Sequence, residues 1–108
     1  MRIAIHSPSF NLTAALQEHT LERLRLALSH ARHRVRRVTV RLRDLNGPRG
    51  GIDKQCGIHV AIDGVGDVVV AEKDRDLYAA IARAAERLGR GVTRRIRQKR
   101  QRTAPPRF

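Results

Sequence analysis

The sequence contains very few aromatic side chains. Among its 108 residues there is no tryptophan, one tyrosine and two phenylalanines. Proteins that read unpaired RNA bases usually stack them on exposed aromatic rings, so the scarcity of rings excludes a stacking platform of that kind. The core must be built from leucine, isoleucine, valine and alanine, and a chain of this length supports one compact domain.

Cysteine and long apolar runs are also lacking. Cys56 is the only cysteine, which excludes an internal disulfide and a metal cage of several cysteines, and which fits a reducing cytosol. No apolar run approaches the roughly 20 residues of a membrane span. The apolar stretch at the N-terminus is too short for the core of a signal peptide. We therefore expect a cytoplasmic protein that does not bind membranes.

Acidic residues are greatly outnumbered by basic ones. Lysine and arginine total 23 against 10 aspartates and glutamates, a formal net charge of +13. Such a surface repels itself and attracts polyanions, so nucleic acid is the expected partner. All but three of these cations are arginines, whose guanidinium groups can bind two phosphate oxygens at once. High-GC codon usage is an alternative reason for the excess of arginine.

Alternation of polar and apolar residues predicts four strands, over residues 2–6, 37–43, 54–63 and 68–72. The second strand alternates most regularly, with Val38, Val40 and Leu42 facing the core. A loop rich in glycine and proline occupies residues 46–51, and residues 63–67 are typical of a hairpin turn.

Apolar residues at three- and four-residue spacing predict two helices. The first follows an N-cap at Thr13 and ends near His33. The second is capped by Asp74 or Asp76, and because glycines at 89 and 91 each cost a helix about 1 kcal/mol relative to alanine, we expect it to weaken beyond residue 88. The predicted apolar faces are Leu16, Thr20, Leu24, Ala27, Leu28 and Ala31 in the first helix, and Leu77, Ile81, Ala84, Ala85, Leu88, Val92 and Ile96 in the second.

The resulting order is β-α-β-β-β-α, an α+β fold. Each strand has one apolar face and each helix one apolar stripe, so both helices should pack on one face of a four-stranded sheet, as in double-stranded-RNA-binding domains, with the other face open. We expect a single α/β domain over residues 1–97. Residues 98–108 are too charged to bury anything, and we expect them to form a disordered basic tail.

The second helix carries a row of arginines opposite its apolar face. The row consists of Arg83, Arg87, Arg90, Arg94 and Arg97. A solvated helix face usually mixes charges of both signs, whereas on this helix only Glu86 lies nearby. The row spans roughly 21 Å at a rise of 1.5 Å per residue, so it is long enough to meet several phosphates and is a candidate polyanion-binding stripe.

A second basic zone is predicted on the sheet. Arg37, Arg41 and Arg43 point outward from the second strand, Arg49 lies in the following loop, and His6 and His59 belong to neighbouring strands. A binding surface and a merely solubilising one remain equally open here.

The sequence offers little for catalysis. No pair of its five histidines has the helical spacing and glutamate of a metalloprotease. Cys56 and His59 are three apart on a strand, so they point to opposite faces. The glycine-rich loops lack a Walker lysine and are explained by turn formation. We therefore expect a protein that is not an enzyme, with no catalytic residue, metal, cofactor or small-molecule substrate.

The start of the last helix has the sequence Asp74-Arg75-Asp76-Leu77-Tyr78-Ala79-Ala80-Ile81. With the order of the elements, it resembles the family of ribosome hibernation promoting factors and ribosome-associated inhibitors, also called sigma-54 modulation proteins. Members carry an Asp-x-Tyr-Ala-Ala-Ile-like element there. The resemblance extends over residues 2–97, including the glycine-rich loop followed by Lys54 and Cys56.

The resemblance implies a sheet under two helices and binding in the channel of the small ribosomal subunit where messenger and transfer RNAs would lie. Inhibition of translation would then be steric. Asp76 and Tyr78 would cap and pack the helix. Residues implied to contact 16S-type rRNA phosphates are Arg83, Arg87, Arg90, Arg94 and Arg95, to which the spacing adds Arg97 and the outward strand residues Arg37, Arg41 and Arg43.

The function that we expect is translation inhibition by a ribosome hibernation factor in stationary phase or stress. Because the chain ends at Phe108, it should lack the C-terminal dimerisation domain of the family's long form and be a monomer in solution. Whether it promotes or prevents ribosome pairing stays open. A general nucleic-acid-binding module and a regulatory protein-interaction module are the alternatives, since either would use the same charge.

Overall fold

The computed structural model describes residues 1–45 and 52–103, and side chains as far as residue 100. The predicted loop at 46–51, with Arg49, lies outside the described residues, as do residues 104–108 at the end of the predicted tail. Expectations for those two segments stay predictions.

The chain forms four strands and two long helices in the predicted order. They are β1 (Arg2–His6), α1 (Ala14–Leu28), β2 (Val35–Asp44), β3 (Lys54–Ile62), β4 (Gly66–Asp74) and α2 (Leu77–Thr103). A 3₁₀ turn (Ser29–Ala31) follows α1, so the regular helix ends earlier than the expected residue 33. The α+β fold is confirmed.

The four strands form one mixed sheet in the order β1-β2-β3-β4. β1 runs parallel to β2 because the crossover through α1 returns the chain to the same end of the sheet. β2, β3 and β4 are antiparallel. The predicted hairpin joins β3 to β4, and Gly64 and Gly66 take the positive φ angles of 72° and 107° that the tight turn requires.

Both helices pack on the same face of this sheet and share one core with it. Leu24, Leu28, Ile81 and Leu88 are fully buried against the inward side chains of β2 and β3. Thr13 caps α1 as predicted, since its hydroxyl accepts a hydrogen bond from the Leu16 amide at 3.1 Å. Burying this much aliphatic surface is the main source of stability, since Phe10 is only partly buried at the margin of the core.

Two aspartates start α2. The Asp76 carboxylate accepts a bond from the Tyr78 amide at 3.0 Å, the N-cap contact of a helix whose first residue is Leu77. The Asp74 carboxylate accepts from the Asp76 amide at 2.9 Å and orders the residues just before the cap. The sequence could not separate these two roles, and both aspartates take part.

The expectation that α2 weakens after residue 88 is wrong. The helix continues through both glycines to Thr103, with Val92 buried and Ile96 half-buried. At Gly89 a Cβ would stand 2.8 Å from the Ala27 carbonyl oxygen, so the glycine lets α1 and α2 approach closely. Helix packing therefore outweighs the poor helix propensity of glycine. The helix also covers residues 98–103, the first part of the predicted disordered tail.

None of the described helices is long and apolar enough to cross a membrane.

Candidate nucleic-acid interface

The predicted arginine stripe is present on α2. Arg83, Arg87, Arg90, Arg94 and Arg97 are all exposed, on the side of the helix that faces away from the buried Ile81, Leu88 and Val92. A continuous helix through the glycines keeps the five residues on one line. The structure therefore brings these five predicted site residues together.

Strand β4 places two carboxylates beside the first half of the stripe. Glu72 and Asp74 follow the inward-facing Val70 at two-residue steps, so they point to the helical side of the sheet. Arg83 bridges them, at 3.2 Å from Asp74 and 3.3 Å from Glu72, and Arg87 lies 3.5 Å from Glu72. The expectation that only Glu86 offsets the stripe is therefore wrong, because it counted neighbours on the helix alone.

The same two arginines also hold the backbone of β4. Arg83 Nη2 donates to the Lys73 carbonyl oxygen at 2.6 Å, and Arg87 Nη1 donates to the Ala71 carbonyl oxygen at 3.3 Å. β4 is an edge strand, and the backbone groups on the outer side of an edge strand lack a strand partner. Arg83 and Arg87 thus tie α2 to the sheet and cover part of its edge.

The second half of the stripe is far less neutralised. Arg90 pairs with Glu86 one turn earlier, at 3.2 Å, with both side chains more than 60% exposed. A pair so exposed leaves most of the positive potential in place. Within the described side chains, neither Arg94 nor Arg97 forms an ion pair. The groups most available to an external anion are therefore Arg90, Arg94 and Arg97.

Arg95 lies away from the stripe. Its Nη2 atom approaches the β3–β4 turn, where a Cβ on Gly66 would stand only 3.2 Å from it. With Arg87, Arg94 and Gln98 it lines a shallow groove between α2 and β4. Arg95 can contribute to an interface on the β4 side of the helix, but not to the row itself.

The open face of the sheet forms the second basic zone. Arg37, Arg41 and Arg43 are exposed on the side of β2 away from the helices, as predicted. Arg2 stands beside Arg37 through the parallel pairing of β1. Between these arginines the neighbouring positions carry small residues, namely Ala4, Thr39, Gly57, Ala61 and Ala71. The described strand positions of this face carry no phenylalanine, tyrosine or tryptophan.

Two further basic residues lie on this face that the sequence alone did not assign to the second basic zone. Arg2 joins it only because β1 pairs with β2 in parallel, and Lys73 joins it because β4 lies next to β3. The alternation of β1 and β4 places each on one side of its strand, but strand order decides which cations become neighbours. Among the described strand positions on this face, the one carboxylate is Asp67, which lies 2.7 Å from the His59 ring.

The two basic zones lie on opposite sides of the molecule. The helices cover one face of the sheet, and Arg90, Arg94 and Arg97 project from the side of α2 opposite its buried residues, whereas the strand arginines occupy the other face of the sheet. Arg83 and Arg87 reach the β4 edge between the two zones. A flat partner can contact one zone at a time. Contact with both zones requires a partner that surrounds the domain, such as the walls of a channel.

The structure offers no support for a nucleophile pair of Cys56 and His59. The Cys56 thiol is buried and the His59 ring is exposed on the opposite face. Burial raises the pKa of Cys56 to about 12, which keeps the thiol protonated and unreactive at neutral pH. No three metal-ligating side chains converge within residues 1–45 and 52–100.

The family model of the sigma 54 modulation protein / S30EA ribosomal protein matches residues 3–101. No curated protein sequence gives a significant match.

Two solved structures share the fold. The N-terminal domain of Protein Y from Thermus thermophilus superposes with a TM-score of 0.73 at 28% identity, over 87% of this chain and 98% of that one. A ribosomal subunit interface protein from Coxiella burnetii gives a TM-score of 0.70 at 15% identity, over 87% and 96%, which supports the fold alone. The family match covers nearly the whole described chain, and the protein therefore belongs to the sigma 54 modulation protein / S30EA ribosomal protein family.

Proposed function

We propose that this protein binds the small ribosomal subunit in the channel for messenger and transfer RNA, and blocks translation in stationary phase or stress. The observation that carries the proposal is the stripe on α2, whose second half is neutralised only by the exposed pair of Arg90 with Glu86 among the described side chains, in a chain that belongs to a family of ribosomal proteins. The role requires no chemistry, because an occupied channel excludes the other RNAs by volume alone.

Ribosomal RNA fits the stripe better than an acidic protein does. Guanidinium groups bind phosphate in a bidentate manner, and phosphates recur at short, regular intervals along an RNA strand, as the arginines do along the helix. The described interface has no exposed aromatic cluster for stacking bases. Binding would therefore follow the shape and charge of folded rRNA rather than a base sequence.

The opposite placement of the two basic zones supports a channel in particular. In an RNA-walled channel the stripe would contact one wall and Arg37, Arg41 and Arg43 the other. Arg90, Arg94 and Arg97 are the proposed main contacts on the helix side, with Arg95 at the margin. Arg83 and Arg87 would contribute while they also hold β4.

Co-sedimentation with purified small subunits at moderate salt tests the proposal. Arg94→Glu/Arg97→Glu reverses two unpaired charges without touching the β4 contacts, and we expect it to lose most of the binding. The matched control is Arg25→Glu/Arg32→Glu, which makes the same change of net charge at exposed positions outside both zones. Equal binding by the two variants would contradict a stripe-based interface.

A random RNA duplex at the same salt distinguishes the proposal from general nucleic-acid binding. Nonspecific phosphate binding falls steeply as salt rises, so a preference for subunits that persists in higher salt supports the ribosomal role. An equal loss of subunit and duplex binding would favour a general module instead.

The family description also includes modulation of sigma 54, which favours a protein partner as the second candidate. A partner that stays bound to the protein after nuclease treatment, in a complex that contains no ribosomal subunit, would favour this alternative. We propose further that the protein acts as a monomer. Light scattering of the purified chain that gives twice the mass of one chain would contradict this.

A further inference from the structure

A basic pocket lies at the end of the helical layer, between the 3₁₀ turn after α1 and the C-terminal half of α2. Its polar lining consists of His30, His33, Arg34, Thr93, Arg97 and Arg100. The cavity measures about 220 Å³, enough for a phosphate group and several waters, since a water occupies about 30 Å³ in the liquid. No carboxylate is among its described lining residues, so an anion there would face positive charge from two elements.

The ring of His30 is held in a defined orientation. The Thr93 hydroxyl donates to the Gly89 carbonyl oxygen at 3.0 Å, and its oxygen lies 2.8 Å from His30 Nε2. A hydroxyl has one hydrogen, so with both bonds formed His30 must donate its Nε2–H to Thr93. The Nδ1 atom can then take up a proton without breaking this bond. His30 can become cationic with its position unchanged.

The pocket is continuous with the arginine stripe. Arg97 lines both this pocket and the adjoining groove that carries Arg90 and Arg94. An RNA backbone that follows the stripe toward the C-terminal half of α2 would reach the pocket with its next phosphates.

We propose that this pocket binds a phosphodiester group of ribosomal RNA, and that its affinity rises as the pH falls because His30 and His33 become cationic. The proposal rests on the proposed binding to the ribosome and identifies a further contact and its regulation. Histidine gains its charge within the physiological pH range. Extra positive charge beside a phosphate tightens binding, and its loss at higher pH weakens binding.

The surrounding charges favour this direction of the pH effect. The segment after α1 contributes His30, His33 and Arg34, and α2 contributes Arg97. Among the described side chains, two carboxylates lie near the pocket and each pairs with an arginine that does not line it. Glu86, which lines the adjoining groove with His30, pairs with Arg90, and Asp63 of the β3–β4 turn pairs with Arg36. A phosphate is thus the group that would balance the pocket when both histidines are protonated.

The test measures affinity of the full chain for purified small subunits at fixed salt, at about pH 6 and about pH 8. We expect the wild type to bind roughly fivefold more tightly at the lower pH, the size of one partly exposed ion pair. His30→Gln/His33→Gln should lose most of this difference. The matched control is His19→Gln, on α1 outside both basic zones, which should keep it. Loss of the pH effect in the control instead would overturn the pocket assignment.

Two further readouts separate the possible failures. If the histidine variant binds like the wild type at both pH values while Arg90→Gln/Arg94→Gln loses binding, the pocket proposal fails and the ribosomal proposal stands. Absence of wild-type binding would overturn both. Inorganic phosphate, titrated into the free protein while the His30 and His33 ring signals are followed by NMR, tests the source of the phosphate: saturation at cellular concentrations would contradict the assignment to RNA.

Discussion

Arg83 and Arg87 have two roles that the sequence does not reveal. Each is a member of the cationic stripe, and each also donates to the backbone of β4 and to an acidic side chain on it. Arg94 has the same residue type and the same helix face without any described ion pair. Identical side chains on one stripe can therefore differ in whether they support the fold or remain available to an external anion.

Neutralising substitutions should separate these roles. Arg83→Gln should lower the free energy of unfolding by about 1 kcal/mol, because it removes two partly exposed ion pairs and a bond to the Lys73 carbonyl. Arg94→Gln should leave stability unchanged and weaken subunit binding more. Urea unfolding followed by circular dichroism, beside co-sedimentation, measures both. The reverse ranking in both assays would contradict the division of the stripe.

Gly89 is a residue whose packing role outweighs its backbone cost. Gly89→Ala should destabilise the protein by about 1–3 kcal/mol, because overpacking against the Ala27 carbonyl exceeds the gain in helix propensity. Gly91→Ala is the comparison. Its Cβ would meet only a Val68 methyl group at 3.2 Å, so this substitution should destabilise the protein less than Gly89→Ala. Thermal unfolding measures the stability of the two variants. An increase in stability for Gly89→Ala would refute the close approach of the helices.

Cys56 should be protected from alkylation in the folded state. Burial raises its pKa from 9.0 to about 12, so the reactive thiolate is scarce in the native protein at pH 8 and appears when the chain unfolds. Mass spectrometry after iodoacetamide treatment, with and without urea, measures this. Rapid modification without denaturant would show that the core around Cys56 opens readily.

At the scale of elements, periodicity was sufficient to predict the order and type of the two α-helices and four strands that the structure describes. The apolar faces of α1 and α2 and the hairpin between β3 and β4 are local signals, carried by spacing and by turn glycines. The extent of α2 was not predictable, because the cost of Gly89 is local while its compensation comes from α1. The pairing of Arg83 with Glu72 also depends on which strand lies under the helix, and spacing along the chain does not encode that.

The start of α2 provides a prediction at this scale. Asp76→Ala should lower the free energy of unfolding by about 1 kcal/mol, because the Tyr78 amide loses its partner at the helix N-terminus. Asp76→Asn keeps an oxygen acceptor and should be nearly neutral. Chemical denaturation of both variants measures the difference. Equal destabilisation would mean that the negative charge of Asp76, and not the capping bond, supports the helix.

For the whole molecule, the central feature is a basic domain with cations on two different faces. The sequence predicted both basic zones and the packing of both helices on one face of the sheet, and together these place the zones on different faces. Because cations lie on both faces, we propose a binding site in which RNA lies on two sides of the domain. The proposed occupant blocks that site by its volume and is released when the phosphate contacts weaken.

Electron cryomicroscopy of small subunits saturated with the protein tests this account most directly. The account predicts density for the domain inside the messenger and transfer RNA channel, with Arg90, Arg94 and Arg97 against rRNA phosphates on one side and the strand arginines near RNA on the other. Density on the outer surface of the subunit, or a domain that touches RNA through neither basic zone, would contradict it.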